Sequence, residues 1–230
     1  MQAQRSYRWL FLGLALFGLA ADQASKYGVF RWLHNGGRTE ERGAFRSWTD
    51  QRGEYDIVPG WFKFTAEFDP TTPLCDCGAS GLQTWSAPVM PRVNKGALFG
   101  IGGHHKELAN NIFAGVSVLA ALAILVWGTR RSTSHDRWLS IALGLILGGT
   151  IGNFYDRIVF GGVRDFLHCY YDKHVWPDFN IADCCLVCGA GVLLVHSFFV
   201  TEPAAQPAPA EPAVAAAPAE VQASSPTTGV

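Results

Sequence analysis

Charge is scarce in this sequence. Of its 230 residues only 16% are Asp, Glu, Lys or Arg, against roughly 25% in soluble globular domains, and that deficit argues against an ordinary water-soluble globule. A formal net charge of -1 leaves no field of one sign to gather nucleic acid, and no RNA- or DNA-binding pattern is present. Also missing are the HExxH of zinc peptidases and the GxSxG of serine hydrolases. No internal repeat is evident. Mean hydropathy is only +0.12, because polar stretches dilute apolar ones that are bunched together rather than spread at helical or strand period.

A hydrocarbon core about 30 Å thick takes roughly 20 apolar residues at 1.5 Å rise. Four runs meet that length, at about 9–30, 108–127, 138–156 and 179–200, and the second and third carry no charge from Leu108 to Trp127 and from Trp138 to Tyr155. Arg5 and Arg8 at one end, and Arg130, Arg131 and Arg137 between the middle runs, place the N-terminus and that loop in the cytoplasm by the positive-inside rule. The C-terminus then also lies inside, and segments 34–107 and 157–178 lie outside. The first run has a rival reading as a signal peptide. Against it, apolar character resumes after Asp22 and Lys26. From 201 to 230 the chain is rich in Ala and Pro without an aromatic, Lys or Arg, which predicts a disordered tail.

An ionisable group in or beside hydrocarbon costs at least ~2.5 kcal/mol on insertion scales, so each is a candidate for function. Such groups gather at Asp22 and Lys26, at Asn94-Lys95-Gly96, from Asn153 through Asp156 and Arg157 to Asp165, and at Asn180-Ile181-Ala182-Asp183. By this topology all fall at the outer ends of the runs or beside them, on one membrane face. Residues three and four apart share a helix face, so Asn153, Asp156 and Arg157 are expected to project together, with Arg157 and Asp156 as a structural ion pair. Asn180 as an N-cap would put Asp183 at N3, where the helix dipole favours its ionised form. Asp165 lies past Gly161 and Gly162 on a returning connection, able to fold back toward Asp183.

Two carboxylates brought close in a poorly solvated site share a proton, so that one acts as base on a water and the other as acid on a carbonyl. That is aspartic-peptidase chemistry. The residue pattern alone leaves Asp156 and Asp165 as rival partners for Asp183, with helix caps and ion pairs as the structural alternative. Ser25 and Lys26 do not make a Ser/Lys dyad, because adjacent helical residues point about 100° apart. Gly144, Gly148 and Gly152 form one stripe that should admit a close neighbouring helix. His104, His105 and His168 read as solvated interface residues.

Taken in order, Asp22 with Ser25-Lys26, Asn94-x-Gly96-Ala97-x-Phe99, Gly152-Asn153-x-x-Asp156-Arg157, Val163-x-Asp165-Phe166 and Phe179-Asn180-x-Ala182-Asp183 resemble the lipoprotein signal peptidases, the type II signal peptidase family of bacterial aspartic membrane proteases. The resemblance covers residues 7–200, broken by one stretch. It implies an all-α membrane protein, a four-transmembrane-helix bundle in the bacterial inner membrane, with a small extracytoplasmic β-platform from Asp56 to Ala66 and the approach to Asn94. It further implies a monomer, working in membrane lipid without cofactor or metal, that cuts diacylglyceryl-modified prolipoproteins on the amino side of the lipidated Cys. Asp165 and Asp183 become the catalytic dyad. Asp22, Lys26, Asn94, Gly96, Asn153, Asp156, Arg157, Asn180 and Ala182 become supporting or substrate-binding residues.

Three departures stand out. About 25 residues, 67–92, intervene before the Asn94 block, which predicts an inserted loop. Cys184 follows Asp183 where a small hydroxyl residue is common, and the tail has no counterpart. Cys75, Cys77 and Cys169 fall in the outer segments, where an oxidising compartment would allow a bridge from Cys75 or Cys77 to Cys169 but the sequence does not decide it. Paired outer cysteines also suit a membrane thiol-disulfide oxidoreductase, although they show no CxxC spacing, and buried carboxylates suit a proton-linked transporter.

Overall fold

Arg8 to His34 form one unbroken helix, α1. It ends where the Asn35 N–H bonds back to the Arg31 carbonyl at 3.1 Å and Gly36 takes a φ of +91°, a left-handed exit that costs glycine little. The structure is a computed structural model and describes residues 5–36, 52–74, 81–96 and 106–199. The expected tail at 201–230 lies outside them, as do Cys75, Cys77, His104 and His105.

Three of the described helices are long and apolar enough to cross a membrane: α3 (Lys106–Thr129), α5 (Arg137–Val159) and α6 (Ile181–Phe199). Their bounds fall within a few residues of the runs read from sequence. Leu119 on α3 and Phe198 on α6 are among many large apolar side chains left exposed, a surface suited to lipid rather than water. The turn between α3 and α5 holds α4 (Arg131–Ser134). Asp136 then caps α5 by accepting the Leu139 N–H at 3.0 Å, so the charge ending the basic loop also starts the next helix.

The glycine stripe has the packing role expected of it. A Cβ on Gly144 would meet the Phe11 carbonyl at 2.7 Å, and one on Gly148 the Ala15 carbonyl at 2.7 Å. α1 therefore lies backbone to backbone along α5, with Phe11, Ala15, Leu143 and Leu147 buried between them. Gly149 faces the Ala182 carbonyl of α6. One face of α5 thus admits α1 and another admits α6.

The β-platform is larger than expected. β1 (Arg52–Val58) pairs antiparallel with β2 (Phe62–Pro73), and β2 pairs with β4 (Leu167–Tyr171), which turns into β5 (His174–Val175). The 67–92 segment is also more than a loop. It carries the far half of β2, the one-turn helix α2 (Gly81–Thr84) and β3 (Val89–Pro91), which pairs back on β2. Phe30 and Leu33 from the end of α1 are buried against Ala66, Phe68, Ala87, Phe166 and Leu167, at about 1.5–3 kcal/mol for each large side chain removed from water. This cluster fastens the sheet to the helices.

Candidate active site

Two isolated β-bridges flank Asp165. Two residues before it, Val163 pairs with Asn94; two residues after it, Leu167 pairs with Phe179. The first brings the Asn94 side chain alongside, and the second brings in Asn180. Asn180 Nδ2 donates to Asp165 Oδ1 at 2.7 Å and Asn94 Nδ2 donates to Asp165 Oδ2 at 3.1 Å.

Asp183 reaches the same place from the head of α6. Its Oδ2 accepts the Asn180 N–H at 3.1 Å, while Asn180 Oδ1 accepts the Asp183 N–H at 3.1 Å, the reciprocal arrangement of a capping box. Asp183 Oδ1 accepts from Asn153 Nδ2 at 2.8 Å. Asn180, itself fully buried, therefore holds both carboxylates at once. Burial pushes the Asp165 carboxyl up to about 7; the Asp183 charge adds to the rise, while the Asn180 and Asn94 amides and the Lys26 ammonium oppose it.

The amide orientations are forced by groups that can only donate. Gly96 N–H donates to Asn94 Oδ1 at 2.9 Å, Asp183 N–H to Asn180 Oδ1, and Lys26 Nζ to Asn153 Oδ1 at 3.2 Å. Each asparagine then has only its Nδ2 to offer the acids. Gly96 is required by its backbone, with φ at +98°, and by space, since a Cβ there would meet the Phe113 ring at 2.5 Å.

Behind the acids lies a buried set of charges. Asp22, Lys26, Asp156 and Arg164 are all fully buried, two of each sign. Lys26 Nζ lies 2.8 Å from Asp22 Oδ2 and 3.3 Å from Asp156 Oδ2. Asp22 Oδ1 accepts the Ala182 N–H at 2.9 Å, so it also caps the positive end of α6. Gly152 makes room for it, because a Cβ there would meet Asp22 Oδ2 at 2.6 Å.

Arg157 does not pair with Asp156, contrary to expectation. Asp156 is taken by Arg164, whose N–H, Nε and Nη2 reach it at 2.9, 3.3 and 2.8 Å. Arg157 turns to α3, with its guanidinium 5.1 Å from the Phe113 ring centroid. The reason is the one that excluded a Ser25–Lys26 dyad: neighbours on a helix point about 100° apart. Ser25 indeed spends its hydroxyl on the Asp22 carbonyl at 2.8 Å. Asn153 and Asp156 do share a face, meeting at Lys26.

Sequence reasoning missed Arg164, Gln23 and Ser86. Gln23 Nε2 donates to Asp22 Oδ2 at 2.9 Å, and its Oε1 accepts from Arg164 Nη2 at 2.9 Å. The available signal was an arginine between Val163 and Asp165, one residue from a candidate acid. Cys169 carries a free thiol, and its candidate bridge partners Cys75 and Cys77 lie outside the described residues. His168 is not merely solvated but pairs with Asp178 at 2.6 Å.

Comparison with known proteins bears on this arrangement. A family model described as signal peptidase (SPase) II matches residues 78–199. The chain is 36% identical over 201 residues to the lipoprotein signal peptidase of Rhodopirellula baltica, covering 82% of this chain and 71% of that one. It is 40% identical over 104 residues to the lipoprotein signal peptidase of a Methylobacterium species, covering 45% and 61%. A solved bacterial membrane enzyme, obtained by the in meso method at 1.9 Å resolution, shares the fold with a TM-score of 0.56 at 19% identity, over 87% of this chain and 100% of the other.

Proposed function

The chain belongs to the signal peptidase II family, and from that premise we propose that Asp165 and Asp183 are the catalytic pair of a peptidase that removes signal peptides from prolipoproteins. The observation that carries the assignment is the shared hold of Asn180 on both acids. Asp165, with a pKa near 7, holds the proton and donates it to the scissile carbonyl. Asp183, held by two N–H donors, takes a proton from the attacking water. Collapse of the tetrahedral intermediate returns that proton to the leaving amine.

Asn94, Asn153 and Asn180 hold the acids. Gly96 shapes the Asn94 turn, Ala182 receives the Asp22 cap, and Asp22, Lys26 and Asp156 form the charged floor. Arg157 lies over the Phe113 ring with its charge acting on both acids, and its role is to meet a substrate carbonyl or ester oxygen. The substrate is a diacylglyceryl-modified precursor cut on the amino side of its lipidated Cys. Its lipid chains would lie along the exposed apolar helices.

In this reading α1 is the fourth span, and residues 1–200 form one membrane peptidase unit acting as a monomer, with 201–230 as an appended tail. The sheet and both acids face outward from the bacterial inner membrane and both termini face the cytoplasm. The basic residues at Arg5, Arg8, Arg130, Arg131 and Arg137 support that orientation. The thiol-disulfide and transporter readings draw no support from the family.

The test is a gel-shift assay of purified protein on a diacylglyceryl-modified precursor. Asp165→Asn and Asp183→Asn should each abolish cleavage while remaining folded and inserted. Near wild-type cleavage by either removes the assignment.

A further inference from the structure

The 67–92 segment sends side chains into the interior. Ser86 is fully buried, and its hydroxyl accepts from Arg164 Nη1 at 2.6 Å. Nearby, Gln83 Nε2 donates to the Val159 carbonyl at the end of α5 at 2.5 Å, and Trp85 meets the Tyr27 ring edge-on, centroids 6.2 Å apart. Tyr27 and Phe160 in turn face the Arg164 guanidinium at 4.3 and 3.9 Å.

Arg164 directly precedes Asp165 in the chain and shows no exposed surface. Its donors go to Ser86, Gln23 and Asp156. We propose that Arg164 is a positioning residue for the acid pair, and that Ser86, supplied by the inserted segment, fixes Arg164 in place. This rests on the reading of Asp165 and Asp183 as the catalytic pair.

Two physical links carry the effect. The first is through the backbone: the Arg164 N–H and side chain both bind Asp156, so residue 164 is fastened to α5 and the next residue, Asp165, is held with it. The second is through charge. With Arg164 on Asp156, Lys26 lies closer to Asp22, at 2.8 against 3.3 Å, and keeps a proton for Asn153 Oδ1. Asn153 must then present Nδ2 to Asp183. Without Arg164, Lys26 becomes the sole cation for Asp156 and is drawn off Asn153 Oδ1, so the Asn153 amide loses the donor that fixes it and its Nδ2 is no longer held on Asp183.

Neither Ser86 nor Arg164 is exposed to touch substrate, so the effect belongs in turnover and not in binding. Steady-state cleavage of a diacylglyceryl-modified precursor by the full chain tests this, with rates normalised to folded protein. Arg164→Met should lower kcat about tenfold or more and Ser86→Ala about threefold to tenfold, each with KM within about twofold. Ser86→Thr should restore most of the rate. The double variant Ser86→Ala/Arg164→Met should be no slower than Arg164→Met alone, because the serine acts through the arginine.

Unchanged kcat in Ser86→Ala, a raised KM with kcat intact, or losses that multiply in the double variant overturns the proposal. If Arg164→Met does not fold, the Ser86→Ala and Ser86→Thr pair decides alone, since it differs only at one hydroxyl and one methyl. Asp165→Asn and Asp183→Asn run alongside. Cleavage by either overturns the dyad reading and this proposal together, whereas inactive acid variants beside an unaffected Ser86→Ala overturn only the proposal.

Discussion

Asn180 and Asp183 bind each other twice, the backbone N–H of each donating to the side chain of the other at 3.1 Å. The same asparagine uses Nδ2 on Asp165, so helix capping and the holding of the second acid are joined in one residue. Substitutions can separate them. Asn180→Ala should destabilise the protein by about 0.5–2 kcal/mol through the lost cap and lower cleavage sharply. Asn180→Ser keeps an oxygen for the Asp183 N–H but has no amide for Asp165. Thermal unfolding should recover in the serine variant while activity stays low; recovery of both would mean that the Asp165 contact is idle.

The raised pKa of Asp165 sets the alkaline side of the pH profile. The proton is needed on this acid, so kcat/KM should fall as pH rises through about 7, because deprotonation removes the general acid. The charged groups acting on Asp165 are Asp183 from α6, Lys26 from α1 and Arg157 from α5. Asn94 donates to Asp165 and favours its ionised form. Asn94→Ala should therefore raise the pKa further and shift the descending limb to higher pH, even as the maximal rate drops. A shift to lower pH would reverse the assigned sign.

The close approach of α1 to α5 depends on missing side chains. Gly152→Ala puts a methyl 2.6 Å from Asp22 Oδ2, and Gly148→Ala puts one 2.7 Å from the Ala15 carbonyl. Each should cost about 1–3 kcal/mol as backbone and side chain are forced apart. Gly115 on α3 and Gly191 on α6 have nothing within 4 Å of an added Cβ, so alanine there should be neutral or stabilise by up to about 1 kcal/mol. Thermal unfolding in detergent of these four variants distinguishes packing from general intolerance of substitution.

The four buried charges balance in sign, which predicts a compensation. Lys26→Met leaves Asp22 and Asp156 with one cation between them, a loss of about 3–5 kcal/mol for breaking a buried pair. Lys26→Met/Asp22→Asn restores neutrality and keeps a carbonyl oxygen for the Ala182 N–H. The double variant should unfold at a higher temperature than the single one. Equal or lower stability would show that geometry, not charge balance, dominates here.

Much of this arrangement was legible in the residues alone, for local reasons. Apolar runs of span length marked α3, α5 and α6, because backbone groups in hydrocarbon must bond within their own segment. The i, i+4 glycines marked the face of α5 that admits α1, and the i, i+3 spacing of Asn180 and Asp183 marked a helix start. Each feature is written within a turn or two of chain, where helical geometry alone decides what meets what.

What only tertiary structure decided is the choice of partners. Asp156 had an arginine beside it in sequence but took Arg164, eight residues on; Asp165 is held by Asn94, 71 residues away, and Arg164 by Ser86, 78 residues away. Local spacing says which face a charge occupies and nothing about which distant segment arrives there. In a dry interior an unpaired charge is costly, so the pairing follows whichever backbones the β-bridges and the glycine contacts bring together.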